Sequence, residues 1–139
     1  MDYRYSGDAH RELVASYAAD EGPFPTDDGR RFPAREHLRE EVAILKQLLF
    51  PRCWNAGSLT GDESRVQARL DDLGELYYLG IEAYSGEDPT DTVDGVLDRL
   101  PEIRRTLKKD VEAAYKGDPA AKSYCEIIRS YPGFHATMV

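Results

Sequence analysis

The sequence predicts an all-α protein, a multi-helix bundle of five or six helices arranged as helical hairpins behind an irregular N-terminal arm. Three observations favour this fold class. From residue 34 onward, apolar residues recur at the three- and four-residue spacing of an amphipathic helix. No segment alternates apolar and polar residues long enough to indicate a β-strand. Proline, glycine and N-capping residues divide the helical part into segments of helix length.

The first part of the chain, residues 1–33, is predicted to be the arm. Residues 22–33, with the sequence GPFPTDDGRRFP, contain three prolines and two glycines, a composition typical of loops and linkers. A short helix is predicted within HRELVASYAA, residues 10–19. Phe24 and Phe32 are candidates to anchor the arm on a neighbouring surface. The remaining residues, 34–139, are predicted to form the helical domain.

Two helices with matching apolar stripes open the helical domain. The first should end near Phe50, where a proline follows, and its stripe comprises Leu38, Val42, Leu45 and Leu49. The second should begin with Thr60 or Asp62 as its N-cap and should end at about Tyr84, ahead of a glycine. Its stripe comprises Val66, Leu70, Leu73 and Tyr77.

Part of the second helix also admits another interpretation. Residues 73–84, LGELYY followed by LGIEAY, are similar to two hexapeptide repeats of a left-handed parallel β-helix. Two repeats cannot bury a solenoid core, and their leucines already belong to the helical stripe. The helical interpretation is therefore favoured.

The last part of the domain should hold the remaining helices. Pro101 is expected to break or kink the helix predicted in residues 87–100, EDPTDTVDGVLDRL, because proline lacks the N–H group and clashes with the preceding turn. The next helix should end at Gly117 as a left-handed C-cap. Asp118 is then predicted to be the N-cap of a final helix, with Pro119 at its first position.

Composition and charge exclude several classes of protein. The chain has 139 residues, 41% of them apolar, and a net charge of −8 from 26 acidic and 18 basic residues. Such a balance argues against binding of nucleic acid or of an anionic membrane surface. The N-terminus lacks the basic and apolar regions of a signal peptide, so the protein is expected to be cytoplasmic. Cys53 and Cys125 are expected to be buried, reduced thiols, because their spacing indicates neither a zinc site nor a disulfide framework.

Candidate reactive residues are few. His10, His37 and His135 form no metal-binding or nucleophile-activating motif, and the chain has no Glu-x-x-His pair of the kind found in carboxylate-bridged metal bundles. No metal site is therefore predicted. Other acidic residues are interpreted as a solvated surface: Asp71, Asp72, Asp88, Asp91, Asp94 and Asp98. Asp118 is the exception, because a carboxylate that caps a helix can keep an oxygen available for a substrate ammonium group.

The segment from Asp110 to Ala136, DVEAAYKGDPAAKSYCEIIRSYPGFHA, resembles serine acetyltransferases. Three pieces agree in order and spacing: Asp110 with Ala113, the Asp118-Pro119-Ala120 triplet, and residues 133–136, GFHA. The resemblance is specific over about 27 residues, is loose over residues 34–109, and does not extend to residues 1–33. One departure from better-known members is Gly117, where they have an arginine.

The resemblance implies a function for the whole protein. Members of the family carry an N-terminal helical domain before a left-handed β-helix, and they transfer acetyl from acetyl-CoA to L-serine to give O-acetylserine for cysteine biosynthesis. The resemblance implies that Asp118 helps to bind serine and that Asp110 and His135 play supporting roles. It places the catalytic histidine and the CoA groove in the β-helix, so no catalytic residue is assigned in this chain, and residues 1–139 alone are expected to be inactive.

The resemblance also implies partners. The helical domain should form a homo-oligomer, L-serine and acetyl-CoA should be substrates of the full-length enzyme, and no cofactor should bind to this chain itself. A sulfhydrylase partner, bound through a C-terminus that this chain does not contain, is left open. The alternative is a free-standing acidic helical module that binds another protein and has no catalytic activity.

Overall fold

The structure is a computed structural model that describes residues 5–21 and 35–138. Phe24 and Phe32, the predicted anchors of the arm, lie outside these residues. The chain divides into two compact units, Met1–Arg31 and Phe32–Val139. In the first unit, helix α1 spans Ala9–Ala18 and buries no residue. It confirms the short helix that was predicted in the arm.

The second unit is built from five further α-helices and two single 3₁₀ turns, and the described residues contain no strand. The helices are α2 (Arg35–Leu49), α3 (Glu63–Ser85), α4 (Thr90–Gly117), α5 (Tyr124–Ser130) and α6 (Pro132–Met138). The 3₁₀ turns, Pro51–Cys53 and Gly57–Leu59, lie between α2 and α3. The all-α prediction is confirmed. Because residues 73–84 lie inside α3, the hexapeptide interpretation is excluded.

Helix α3 begins and ends where capping rules predict. The Asp62 carboxylate accepts a hydrogen bond from the backbone N–H of Arg65 at 3.1 Å, so Asp62 rather than Thr60 is the N-cap. At the other end, Gly86 adopts the left-handed conformation at φ 69° and donates its N–H to Glu82. Gly74 lies against α4, since a Cβ atom there would approach Leu97 to 3.2 Å.

Pro101 was expected to break or kink its helix, and the prediction of a break is wrong. Helix α4 continues without a break through Pro101. It has 28 residues and is the longest helix among those described. Leu100 on one side of the proline and Leu107 and Val111 on the other are all buried in the same core. Tertiary packing therefore holds both halves in one helix despite the lost backbone hydrogen bond.

The core of the second unit draws on all five of its helices. Its buried members include Leu73, Val111 and Ile127, each at most 2% exposed. The predicted stripe of α2 is partly rotated, because Leu38 is 54% exposed while Ile44 is buried. Arg104 of α4 donates its Nε–H to the carbonyl of Leu49 at 2.7 Å, which satisfies an otherwise unpaired carbonyl at the C-terminus of α2.

The prediction for the two cysteines is wrong. Cys53 and Cys125 form a disulfide with their Cα atoms 5.3 Å apart, and both are half-buried. The bond joins the 3₁₀ turn after α2 to helix α5 across a sequence separation of 72 residues. No spacing rule connects residues so far apart, since only the packing of α5 against this turn brings them together.

No helix among the described residues combines the length and the apolar character that a bilayer-spanning segment requires.

Candidate functional site

Asp118 lies directly after α4, but it does not begin the next helix. Its backbone is extended, at φ −118° and ψ 103°, so it is the C-cap residue of α4, and Gly117 does not adopt the left-handed conformation. The prediction that Asp118 is an N-cap with Pro119 at the first helical position is therefore wrong. A short turn, residues 118–123, separates α4 from α5.

The true N-cap of α5 is Ser123. Its hydroxyl oxygen accepts the backbone N–H of Glu126 at 3.1 Å, and the Glu126 carboxylate accepts the N–H of Lys122 at 2.7 Å. This pattern is close to a capping box, in which a serine is followed three residues later by a glutamate. Residues 123–126, SYCE, contain the capping-box pattern in the sequence. The prediction placed the N-cap at Asp118 instead, because the Asp-Pro pair also fits the start of a helix.

The Asp118 carboxylate does not cap the N-terminus of a helix, and it accepts hydrogen bonds from two other donors. Its Oδ1 accepts the backbone N–H of Ala120 at 2.8 Å, which makes a local aspartate turn. Its Oδ2 accepts the phenolic O–H of Tyr131, in a hydrogen bond that crosses from the end of α4 to the end of α5. An ionised carboxylate has about four acceptor positions, so two remain after these bonds are made.

Electrostatics keep both members of this pair in fixed protonation states. The Tyr131 hydrogen bond, followed by the Ala120 N–H, lowers the pKa of Asp118 below its ordinary value, while burial acts in the opposite direction. The same hydrogen bond to Asp118 is the main cause that raises the pKa of Tyr131 to about 12. At neutral pH the site is therefore a carboxylate that accepts a hydrogen bond from a neutral phenol.

Tyr131 also belongs to the backbone of the α5–α6 junction. Its N–H donates to the carbonyl of Ile127 at 3.1 Å, and its own carbonyl accepts the N–H of His135 at 3.0 Å. The side chain of Tyr131 thus ties this junction to Asp118. Sequence reasoning did not single out Tyr131, because a partner 13 residues away has no periodic signature.

His135 lies in a separate cluster around Trp54. The imidazole and indole rings stack with centroids 6.4 Å apart and an interplanar angle of 25°. Lys46 Nζ lies 4.6 Å, and the Arg129 guanidinium 5.6 Å, from the centroid of the Trp54 ring. Within residues 5–21 and 35–138, Trp54 Nε1 and His135 Nε2 are buried and have no hydrogen-bond partner.

The structure separates the three residues that the resemblance grouped. Asp118 and His135 are linked only through Tyr131, whose side chain contacts the first and whose carbonyl binds the backbone of the second. Asp110 is exposed on α4, and its side chain forms no hydrogen bond or ion pair with other described residues. Among the described residues, no group of three histidine, cysteine or acidic side chains is arranged to bind a metal ion.

The fold and the Asp118 site define an all-α domain that presents a fixed, ionised carboxylate where its longest helix ends. Residues 79–138, which include this site, match the family model for the N-terminal domain of serine acetyltransferases. The chain is 62% identical to a plasmid-encoded serine acetyltransferase of Synechococcus elongatus, in an alignment covering 75% of this chain. These matches, together with the structural comparison below, support a serine acetyltransferase N-terminal domain in this chain.

A solved structure agrees with this assignment. Serine acetyltransferase isoform 3 of Entamoeba histolytica, crystallised in complex with cysteine, superposes with a TM-score of 0.63 at 33% identity and covers 92% of this chain. The chain spans 39% of the length of the cyanobacterial relative and 45% of the amoebal one. It therefore corresponds to less than half of either relative.

Proposed function

We propose that this chain is the N-terminal helical domain of a serine O-acetyltransferase, whose intact form transfers acetyl from acetyl-CoA to the hydroxyl group of L-serine. The product, O-acetylserine, would serve cysteine biosynthesis in the cytoplasm. The observation that carries the proposal is the Asp118 carboxylate, fixed by two donors within the matched region, residues 79–138.

Asp118 is proposed to bind the ammonium group of serine. Its carboxylate is ionised at neutral pH and half-buried, and each oxygen keeps an acceptor position after binding Ala120 or Tyr131. A hydrogen bond between ammonium and carboxylate is charge-assisted and directional. It would orient the serine hydroxyl for attack, and orientation is a large contribution to catalysis.

Other steps of the reaction are assigned outside this chain. Attack on a thioester by a hydroxyl group requires a general base, and His135 is poorly suited because its Nε2 is buried against Trp54. Asp110 and His135 keep the proposed role of supporting residues. We assign the base and the acetyl-CoA site to the β-helix domain of the intact enzyme, and no cofactor to this domain.

The domain is also proposed to mediate homo-oligomerisation. Apolar side chains on three of its helices remain substantially exposed: Leu38 on α2 at 54%, Leu79 on α3 at 43% and Val96 on α4 at 40%. Apolar surface of this kind is favourable to bury between subunits. A sulfhydrylase partner would bind elsewhere in the intact protein.

The test uses the intact enzyme with Asp118→Ala and, as a matched control, Asp94→Ala, which removes another exposed carboxylate of α4. Loss of a charge-assisted contact to serine should raise the KM for serine about tenfold or more, with little change in the KM for acetyl-CoA. Asp94→Ala should leave both values nearly unchanged, and residues 1–139 alone should release no CoA in response to serine. Normal serine kinetics in Asp118→Ala would refute the binding role.

A further inference from the structure

The Cys53–Cys125 disulfide is positioned beside a cavity rather than inside the packed core. Both cysteines line a cavity of about 280 Å³ enclosed by the turn after α2, helix α4 and helix α5. Apolar walls are contributed by Phe50, Val111 and Ile128. A disulfide that lines a cavity of this size can be approached by a small molecule, whereas one enclosed in close-packed core cannot.

The charges around this cavity differ in sign from those of the chain as a whole. Arg52, Arg104 and Lys108 line it, against the single carboxylate of Glu112. The chain as a whole carries a net charge of −8. Arg104 is held in place by its hydrogen bond to the Leu49 carbonyl, while Arg52 and Lys108 are exposed. The cavity therefore favours a small anion next to the sulfur atoms.

We propose that this cavity is a thiol-exchange site, at which small anionic thiols attack the Cys53–Cys125 disulfide. In the first step, the incoming thiolate forms a new S–S bond with one cysteine. The Cys53–Cys125 bond breaks, and its electron pair leaves with the other cysteine as a thiolate, which then takes up a proton. This proposal goes beyond the proposed acetyl-transfer role and does not depend on it.

A second equivalent of the thiol completes the reduction. Its thiolate attacks the mixed disulfide, releases the small molecule as a symmetric disulfide and leaves the second cysteine as a thiol. Two small thiols are thereby oxidised, and one protein disulfide is reduced. Because the disulfide anchors α5, and α5 leads directly to Tyr131, reduction should loosen the element that ties Tyr131 to Asp118.

The experiment treats the oxidised 139-residue chain with three thiols that differ in charge: mercaptoacetate, 2-mercaptoethanol and 2-aminoethanethiol. Mixed disulfides on Cys53 or Cys125 are trapped by acid and quantified by mass spectrometry. Rates are normalised to the thiolate concentration of each reagent and to the rate of the same reagent with the neutral 2-hydroxyethyl disulfide, which corrects for the intrinsic nucleophilicity of each thiolate. We expect the anionic thiol to react about tenfold faster than the cationic one at low salt, with a smaller ratio in high salt.

Variants test whether the cavity causes the preference. The double variant Arg52→Gln, Lys108→Gln should bring the ratio of the anionic to the cationic rate close to one. Lys116 is an exposed lysine on α4 that does not line the cavity, so Lys116→Gln should keep the ratio of the unaltered chain. Circular dichroism checks that each variant retains its helices.

Three outcomes would overturn the proposal. The first is two free thiols in the purified, air-oxidised chain, the second is equal normalised rates for all three reagents, and the third is an equal loss of preference in Lys116→Gln and in the double variant. Since the readout is a mass change on the cysteines, each result is independent of whether the intact protein acetylates serine.

Discussion

Tyr131 and Asp118 form a side-chain hydrogen bond in which each residue shifts the pKa of the other. The hydrogen bond requires an ionised carboxylate and a protonated phenol. The pKa of Asp118 is lowered from 3.8, and that of Tyr131 is raised from 10.0 to about 12. Both conditions are therefore met throughout the range between these ordinary values.

A dependence of stability on pH follows from the signs of these shifts. For Asp118, whose folded pKa is depressed, the stabilisation is present above pH 3.8 and is lost as pH falls through the folded value. For Tyr131, whose folded pKa is raised, the stabilisation is present below pH 10.0 and is lost as pH rises towards about 12. Tyr131→Phe should therefore destabilise the chain at neutral pH, with the difference shrinking in strong acid and strong base.

Urea unfolding of the chain and of Tyr131→Phe across this pH range measures the difference. Tyr124→Phe is the matched control, because Tyr124 is exposed and makes an edge-on ring contact with Tyr115 that does not require its hydroxyl. A difference for Tyr131→Phe that persists unchanged into strong acid would contradict the assignment of Asp118 as its partner.

At the residue scale, the sequence predicted some identities but not their geometry. Asp118 could be singled out because a helix-capping carboxylate can keep an oxygen available for a substrate ammonium group and because the resemblance includes it, yet its predicted role as an N-cap was wrong. Tyr131 and the Cys53–Cys125 pair could not be found, because each contact depends on where α5 lies in the folded domain. Local patterns carry no information on such long-range contacts.

Individual helices followed local rules wherever caps define their ends. Helices α2 and α3 begin and end close to the predicted residues, because Asp62 and Gly86 satisfy the backbone groups at the ends of α3 and a proline follows α2. Helix α4 did not follow the rule for proline. Burial of Leu100 and Leu107 on either side of Pro101 outweighs the local penalty.

The continuity of α4 yields a prediction for Pro101→Ala. The new N–H at residue 101 can donate to the carbonyl of Leu97, and Pro101 is exposed, so an alanine fits without a clash. The substitution should stabilise the chain by about 1–3 kcal/mol, less the extra freedom that alanine gives the unfolded state. Chemical denaturation measures it.

Lys109→Ala, on an exposed position of the same helix, serves as the control and should change the free energy of unfolding by less than about 0.5 kcal/mol. A destabilised Pro101→Ala variant would show that α4 needs the shape that proline imposes.

At the scale of the whole molecule, the disulfide closes a large part of the helical unit into one loop. The 72-residue separation between Cys53 and Cys125 includes α3 and α4 entirely. In the chain-entropy view, a cross-link over a loop of this length stabilises the folded state by about 4 kcal/mol, since it restricts the unfolded chain. This is a large fraction of the total stability of a small domain.

Reduction should therefore lower the free energy of unfolding by an amount on the order of 4 kcal/mol. Equilibrium urea unfolding with and without a reducing agent measures the change. The double variant Cys53→Ser, Cys125→Ser should unfold at the same urea concentration in both conditions. Equal midpoints for the unaltered chain with and without the agent would show that the bond contributes no stability.

The all-α class could be predicted because it depends on local periodicity, which the sequence displays directly. The arrangement of helices around the core could not, since it depends on which faces meet. The exposed Leu38 and the buried Ile44 on α2 illustrate the difference, because both fit an amphipathic helix and only packing decides between them.

Trp54 is the single tryptophan of the chain, and it follows Cys53 directly. Its ring faces Lys46 of α2, Arg129 of α5 and His135 of α6. Fluorescence excited at wavelengths that only indole absorbs would therefore come from this one residue. That position touches three helices and neighbours the disulfide, so the domain carries an intrinsic fluorophore at the point where its terminal helices join α2.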